Sequence, residues 1–120
     1  MTWLDSTLDK LASDIEVDVS EIGLTGEDGK TITTLLARPL SASEYQVLKS
    51  EPEIRNLHGQ DRTELLGLRM TYEMLAKCDS TLKWGQFKRL PLTIIGAIAL
   101  KVGEAVGQPL ESGGGVLGEV

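Results

Sequence analysis

Apolar residues recur at helical spacing at the start of the chain. Thr2 precedes this pattern and can cap a first helical turn, in which the carboxylate of Asp5 is favoured by the helix dipole. The pattern predicts an amphipathic helix over residues 3 to 14. Its apolar positions follow one another at intervals of three or four residues: Leu4, Leu8, Leu11 and Ile15.

The pattern then changes from helical to alternating. Ile15, Val17 and Val19 alternate with acidic residues, which predicts a half-buried strand. A turn-forming cluster at 25–29 and a second run rich in β-branched residues at 30–38 follow. We expect a β-hairpin that packs on helices or pairs with another chain, because an isolated hairpin is only marginally stable.

The strongest local signal is the capping box at Ser41 to Glu44. The hydroxyl of Ser41 can accept a hydrogen bond from the Glu44 amide, and the Glu44 side chain can reach back to the Ser41 amide. Leu40 and Tyr45 occupy the two positions of a hydrophobic staple. This motif predicts a short helix at 42–50.

The middle of the chain predicts a loop and then a long helix. Pro52 and Gly59 indicate a loop over residues 51–60, and a second capping pattern at Asp61 predicts a helix that runs to Lys77. One polar stripe follows this helix: Arg62, Arg69, Glu73 and Lys77. Apolar residues cover most of the remaining surface: Leu65, Leu68, Met70, Tyr72, Met74 and Leu75. That apolar face is wider than burial on one side requires.

The C-terminal third predicts two more helices and a tail. A short helix is expected at 81–89, and Pro91 suits the first turn of a last helix that ends near residue 106. The expected fold class is α+β, mostly α: a small N-terminal β-hairpin packed with a bundle of four to five short helices. We expect one compact domain over residues 1–107 and a flexible, Gly-rich tail over residues 108–120.

Composition argues against several classes of protein. The net charge of −6 and a pI near 4.7 give no basic surface for nucleic acid. The N-terminus has no basic or apolar signal region, and the longest apolar run, Leu90 to Leu100, is about half of the ~20 residues that a membrane helix needs. We therefore expect an intracellular, soluble protein without nucleic-acid or membrane partners.

The sequence contains no group of residues that predicts catalysis or metal binding. His58 is the only histidine and has no thiol or carboxylate beside it, and Cys78 is the only cysteine. We expect an exposed or structural His58 and a buried, inert Cys78. The Gly26 to Lys30 segment lacks the spacing of a calcium or phosphate loop and is expected to be a hairpin turn. We expect no enzymatic activity, no cofactor and no metal.

The wide apolar face is a candidate protein-binding surface. Methionines such as Met70 and Met74 suit adaptable interfaces, although the same pair is compatible with ordinary core packing. The glycine spacing from Gly103 to Gly107 also has two interpretations, close helix packing or an exposed helix of low propensity. The predicted partner-binding residues are Leu68, Met70, Tyr72, Met74, Trp84 and Phe87.

Residues 31–106 resemble the tail assembly chaperones of long-tailed bacteriophages. Three segments carry the resemblance: the strand and capped helix from Leu36 to Tyr45, the helix from Glu64 to Lys77, and Trp84 to Pro91 followed by an apolar helix. The resemblance implies a chaperone in the host cytoplasm that binds the tape measure protein and helps recruit tail tube subunits. It also implies a longer frameshifted product in many members, and a homo-oligomer is compatible with it.

Two other functions remain open at the level of the sequence. One is a structural virion protein, such as a neck adaptor or minor tail component. The other is a small enzyme or ligand-binding domain, which the lack of convergent polar groups argues against.

Overall fold

The chain folds into helices around one small hairpin, which confirms the predicted α+β, mostly α class. The structure, a computed structural model, describes the backbone of residues 2–119 and the side chains of residues 2–9 and 12–107. Over that range it has six helices and two strands, in the order α1 (Trp3–Leu11), β1 (Ile15–Asp18), β2 (Thr34–Ala37), α2 (Ala42–Lys49), α3 (Pro52–Arg55), α4 (Gly59–Ala76), α5 (Trp84–Phe87) and α6 (Leu92–Glu119).

The two strands form the predicted antiparallel hairpin, but β2 is shorter than expected. Ile15 pairs with Ala37, and Asp18 pairs with Thr34. The residues that precede β2 are paired differently, since Thr31 forms an isolated bridge with Thr25. The long connection between the strands therefore contains a small hairpin of its own, closed by the turn at Gly26 to Lys30.

The core lies where the inner face of the hairpin meets α4 and α6. Val17 and Val19 are fully buried, whereas the alternating residues Glu16 and Asp18 are exposed, as the pattern predicts. The helices contribute further buried side chains: Tyr72 and Leu75 from α4, Phe87 from α5, and Ile95, Ile98, Val102 and Val106 from α6.

The capping box at the start of α2 is present as predicted. The Ser41 hydroxyl accepts from the Glu44 amide at 3.1 Å, and Glu44 Oε1 accepts from the Ser41 amide at 2.8 Å. The same Glu44 oxygen accepts from Lys77 Nζ at 2.7 Å, and that ammonium also donates to the carbonyl of Pro39. A local helix signal therefore also joins α2 to the end of α4.

Several predicted boundaries are wrong. Residues 51–60 are not a continuous loop, because Pro52 starts the short helix α3, whose Ile54 is 2 % exposed. The following helix begins at Gly59 rather than at Asp61, which lies within its first turn. Pro91 precedes α6 and accepts hydrogen bonds from the amides of Ile94 and Ile95, so it occupies a capping position.

The last helix continues beyond the end predicted near residue 106, since α6 extends to Glu119. The predicted flexible tail at 108–120 falls on residues whose side chains lie outside the described part of the chain, and its mobility stays a prediction. None of the described helices is both long enough and apolar enough to cross a membrane.

Candidate protein-binding groove

An apolar groove opens beside β2, with a volume of about 620 Å³. One wall is formed by β2 and the connection before it, and the other by the C-terminal end of α4, by α5 and by the first turns of α6. We call it the β2 groove; it is lined by Gly23, Leu24, Thr25, Ile32, Thr34, Leu35, Leu36, Leu75, Cys78, Asp79, Leu82, Phe87, Leu90, Ile94 and Ile98.

The groove lies directly against the hydrophobic core. Leu75, Phe87 and Ile98 are buried core residues that also line it. Leu36 and Leu90, which we call the rim leucines, are 41 % and 37 % exposed. Covering a leucine side chain completely stabilises a complex by about 1.5–3 kcal/mol relative to full exposure, so the partly exposed rim leucines can each contribute about 1 kcal/mol.

An unpaired edge of β2 runs along the groove. The Val19 amide donates to the carbonyl of Thr33 at 2.9 Å, so the backbone groups of Thr33 face β1. Because backbone groups alternate in direction along a strand, those of Leu35 and Ala37 face β1, while those of Thr34 and Leu36 face the opposite edge. Among the described residues no hydrogen bond reaches the outward backbone groups of Thr34 and Leu36.

Both ends of this edge are closed by other parts of the chain. At one end the Ile32 amide donates to the carbonyl of Leu24 at 2.8 Å, on the same side of the strand as Thr34. At the other end the Arg38 amide, which also faces away from β1, donates to the carbonyl of Met74 at 3.0 Å. The open stretch is therefore limited to Thr34–Leu36.

This arrangement suits an extended peptide. The N–H and C=O groups of two outward-facing residues can form up to four ladder hydrogen bonds with an added strand. The apolar wall opposite can take the side chains that such a strand presents, which is the mode known as β-strand addition. A helix could fill the apolar groove, but it would leave the backbone groups of Thr34 and Leu36 without partners.

A polar cluster closes the end of the groove near Cys78. The thiol lies 3.5 Å from Asp14 Oδ1, and that oxygen accepts from Arg38 Nε at 2.6 Å. The hydrogen bond from Arg38 lowers the pKa of Asp14. Burial and the neighbouring Asp14 carboxylate raise the pKa of the Cys78 thiol, so the thiol stays protonated near neutral pH. Cys78 is half-buried rather than buried as predicted, but its protonated state agrees with an inert thiol.

The aromatic residues of the predicted binding set form a cluster that is mostly internal. The ring centroids of Tyr72 and Phe87 lie 5.7 Å apart, and both side chains are more than nine-tenths buried. The Tyr72 hydroxyl donates to the carbonyl of Leu82 at 3.0 Å. Trp84 is half-buried, with the Arg69 guanidinium 5.0 Å from its ring centroid. Tyr72 and Phe87 therefore act mainly as core residues.

The remaining predicted residues are only partly accessible. Leu68 and Met74 are half-buried and pack against the core, and Met70 is half-buried outside that cluster. Of the six predicted binding residues only Phe87 lines the β2 groove. The rim leucines are absent from the set predicted from the sequence, although consecutive leucines at 35 and 36 in an alternating strand already place one of them on each face.

The other sequence candidates have simple structural roles. His58 is exposed and precedes α4 without a side-chain capping bond. The Gly26–Lys30 segment is the expected turn, with Gly29 at φ 79° and the Lys30 amide donating to Asp28 Oδ1. A Cβ added at Gly103 would meet no atom within 4 Å, which favours the exposed-helix interpretation. Within the described part of the chain, no three His, Cys, Asp or Glu side chains are grouped to hold a metal ion.

Comparison with protein-family models, with curated proteins and with solved structures finds no match to this chain. The β2 groove and its open strand edge are therefore the observations from which a function can be argued.

Proposed function

We propose that this protein binds another protein by holding an apolar, extended segment of it in the β2 groove. The observation that carries the proposal is that two kinds of group without a partner lie at the same place. They are the exposed apolar side chains of Leu36 and Leu90 and the outward backbone groups of Thr34 and Leu36. Each feature alone is common on protein surfaces, but together they define both the chemistry and the conformation of a ligand.

The size of the groove favours modest affinity. Only two rim leucines and a three-residue strand edge are available, and association must also offset the loss of translational and rotational freedom. Modest affinity suits a chaperone, because its client must later be released to a final binding partner. A permanent structural interface would bury a larger apolar area.

We further propose that the client is the tape measure protein of a long-tailed bacteriophage. On this proposal the chain is a tail assembly chaperone in the host cytoplasm, where it keeps the tape measure protein soluble and helps recruit tail tube subunits. The support is the resemblance of Leu36–Tyr45 and Trp84–Pro91 to that family, because these two segments contribute the rim leucines, Leu36 and Leu90.

Co-expression with the tape measure protein encoded in the same genome tests this proposal. Replacing both rim leucines, Leu36→Asp with Leu90→Asp, should sharply reduce the amount of tape measure protein that stays soluble and co-purifies, because two charges then enter the groove. Val47→Asp is the matched control, since Val47 is 62 % exposed on α2 and does not line the groove.

The surface predicted from the sequence provides a competing test. If the variant Met70→Asp with Met74→Asp stays folded and loses the tape measure protein, while the rim-leucine variant retains it, the client binds the long-helix face and the groove is not the site. Circular dichroism of each variant shows whether lost binding reflects lost folding.

Mass spectrometry of purified mature virions separates a chaperone from a structural component. A chaperone should be absent from the particle. A neck adaptor or minor tail protein would be present at a fixed, small copy number, and that result would contradict the proposal.

A further inference from the structure

We infer that the extended segment held in the β2 groove is a strand in which apolar residues alternate with basic ones. The inference rests on the proposed function, because it takes the added strand as the binding mode. It goes further by naming the side chains of that strand, which follow from the groups that each of its two faces would meet.

The inner face of an added strand would meet apolar groups. Leu35 points towards the core, since it packs against the buried cluster and pairs with the fully buried Val17. A client residue directly opposite Leu35 shares that face, because residues opposite one another in neighbouring strands project to the same side of a sheet. This residue would face the groove wall, which includes Phe87 and Ile94. Every second residue of the client is therefore apolar.

The outer face of the hairpin carries acidic side chains. The exposed Glu16 lies opposite Leu36, and the exposed Asp18 lies opposite Thr34. An added strand would place its outer residues directly opposite Thr34 and Leu36, about 10 Å from the backbone of β1. Lysine and arginine can lay their apolar stems across the uncharged side chains of β2 and bring their charge towards the β1 carboxylates.

The carboxylates of this outer face are available to a ligand. Glu16 forms no ion pair with any described residue. The hydrogen bond from the Ser20 amide lowers the pKa of Asp18, so this carboxylate is charged at neutral pH. Arg38, which follows β2, is already held by Asp14, with 2.6 Å between Nε and Oδ1. The outer face therefore lacks cations that would balance an acidic client.

The groove itself adds a third carboxylate. Of the described residues that line the groove, only Asp79 is charged, and it is exposed. Hydrogen bonds from Thr81 lower the pKa of Asp79, and no described cation forms an ion pair with it. Lys83 and Arg89 adjoin lining residues in the sequence but are not part of the lining. A basic segment would thus be attracted to the groove and an acidic one repelled.

Two synthetic peptides test the inference by fluorescence anisotropy with the full chain. In the basic peptide valine alternates with lysine over about six residues, and in the acidic peptide glutamate replaces each lysine. The basic peptide should bind about fivefold more tightly or better at low ionic strength, because several exposed charge pairs each contribute a small factor. This preference should shrink as salt is added. A peptide of the same composition with its lysines grouped together should bind more weakly, because it presents no apolar face.

Matched variants show which carboxylates attract the peptide. The groove-carboxylate variant, Glu16→Gln with Asp79→Asn, should reduce the preference for the basic peptide about twofold or more. Asp61→Asn with Glu104→Gln is the control, because it changes the net charge equally at exposed positions that do not line the groove. The reversed variant, Glu16→Lys with Asp79→Lys, should prefer the acidic peptide, a result that lost folding cannot imitate.

The inference is wrong if the two peptides bind equally, or if the control variant loses the preference as fully as the groove-carboxylate variant does. Equal binding that Leu36→Asp with Leu90→Asp abolishes would refute the inference and leave the proposed function standing. Binding of neither peptide at concentrations of about 1 mM would refute the proposed function, and the inference with it.

Discussion

At the scale of single residues, leucine side chains have different roles depending on where they lie in the fold. Leu75 fills the core and Leu36 stands at the groove rim, although both belong to apolar patterns in the sequence. Periodicity predicts which face of an element is apolar, and it correctly predicts the burial of Val17 and Val19. It does not show whether that face is fully covered, because coverage depends on elements that are distant in sequence.

Glu44 is the residue through which acid should weaken the fold. The hydrogen bond from Lys77, followed by that from the Ser41 amide, lowers the pKa of Glu44 in the folded protein. A carboxylate with a lowered folded-state pKa contributes stability above its ordinary pKa and loses it as the pH falls through the lowered value. Stability from Glu44 should therefore be complete near neutral pH and should decline from about pH 5 downward.

The variant Glu44→Gln tests this contribution. Glutamine preserves the capping geometry but does not titrate, so the variant should lose about 0.2–1 kcal/mol of unfolding free energy at pH 7 and a smaller amount at pH 3. Urea denaturation at both pH values measures the difference. Glu16→Gln is the control, since Glu16 is exposed and has no ion pair among the described residues. An equal loss for Glu44→Gln at both pH values would contradict the assignment.

At the scale of elements, the edge of β2 is the feature that sets the binding mode. Thr34 is the first residue of the strand and its amide faces away from β1, so proline should be tolerated there. Thr34→Pro would remove an outward donor while leaving Leu36 and the groove wall in place.

We expect Thr34→Pro to keep the native fold and to bind the client several-fold more weakly, because one ladder hydrogen bond is worth about 0.5–1.5 kcal/mol. Isothermal titration calorimetry with the tape measure protein measures the change. Thr34→Val, which keeps the amide, should bind as the wild type does. If Thr34→Pro binds with unchanged affinity, the client does not add a strand at this edge.

The individual elements also show which features of the fold can be predicted from the sequence. Ser41 and Glu44 predicted α2 because a capping box is local and needs no tertiary information. The helix α3 was missed because its single turn has too few residues to show periodicity, and its Ile54 is identified as core only by the helices around it. The groove was missed because its walls come from segments about 50 residues apart, Thr34–Leu36 and Phe87–Leu90.

At the scale of the whole molecule, the structure leaves two surfaces incomplete. The hairpin meets the helices at the core but leaves one strand edge open, and among the described residues no element packs extensively against α1. A fold of this size buries only about two thirds of the surface of its unfolded chain, so partner contacts can contribute substantially to its stability. The proposed client would complete the open strand edge of the β2 groove.

The measurement that tests the central claim most directly is amide hydrogen exchange, resolved by residue with NMR, in the free protein and in its complex with the tape measure protein. The claim predicts that the amides of Thr34 and Leu36 exchange quickly in the free protein and become protected when the client is bound. Exposed amides at the start of α2 should be unaffected. Unchanged exchange at Thr34 and Leu36 in a saturated complex would contradict it.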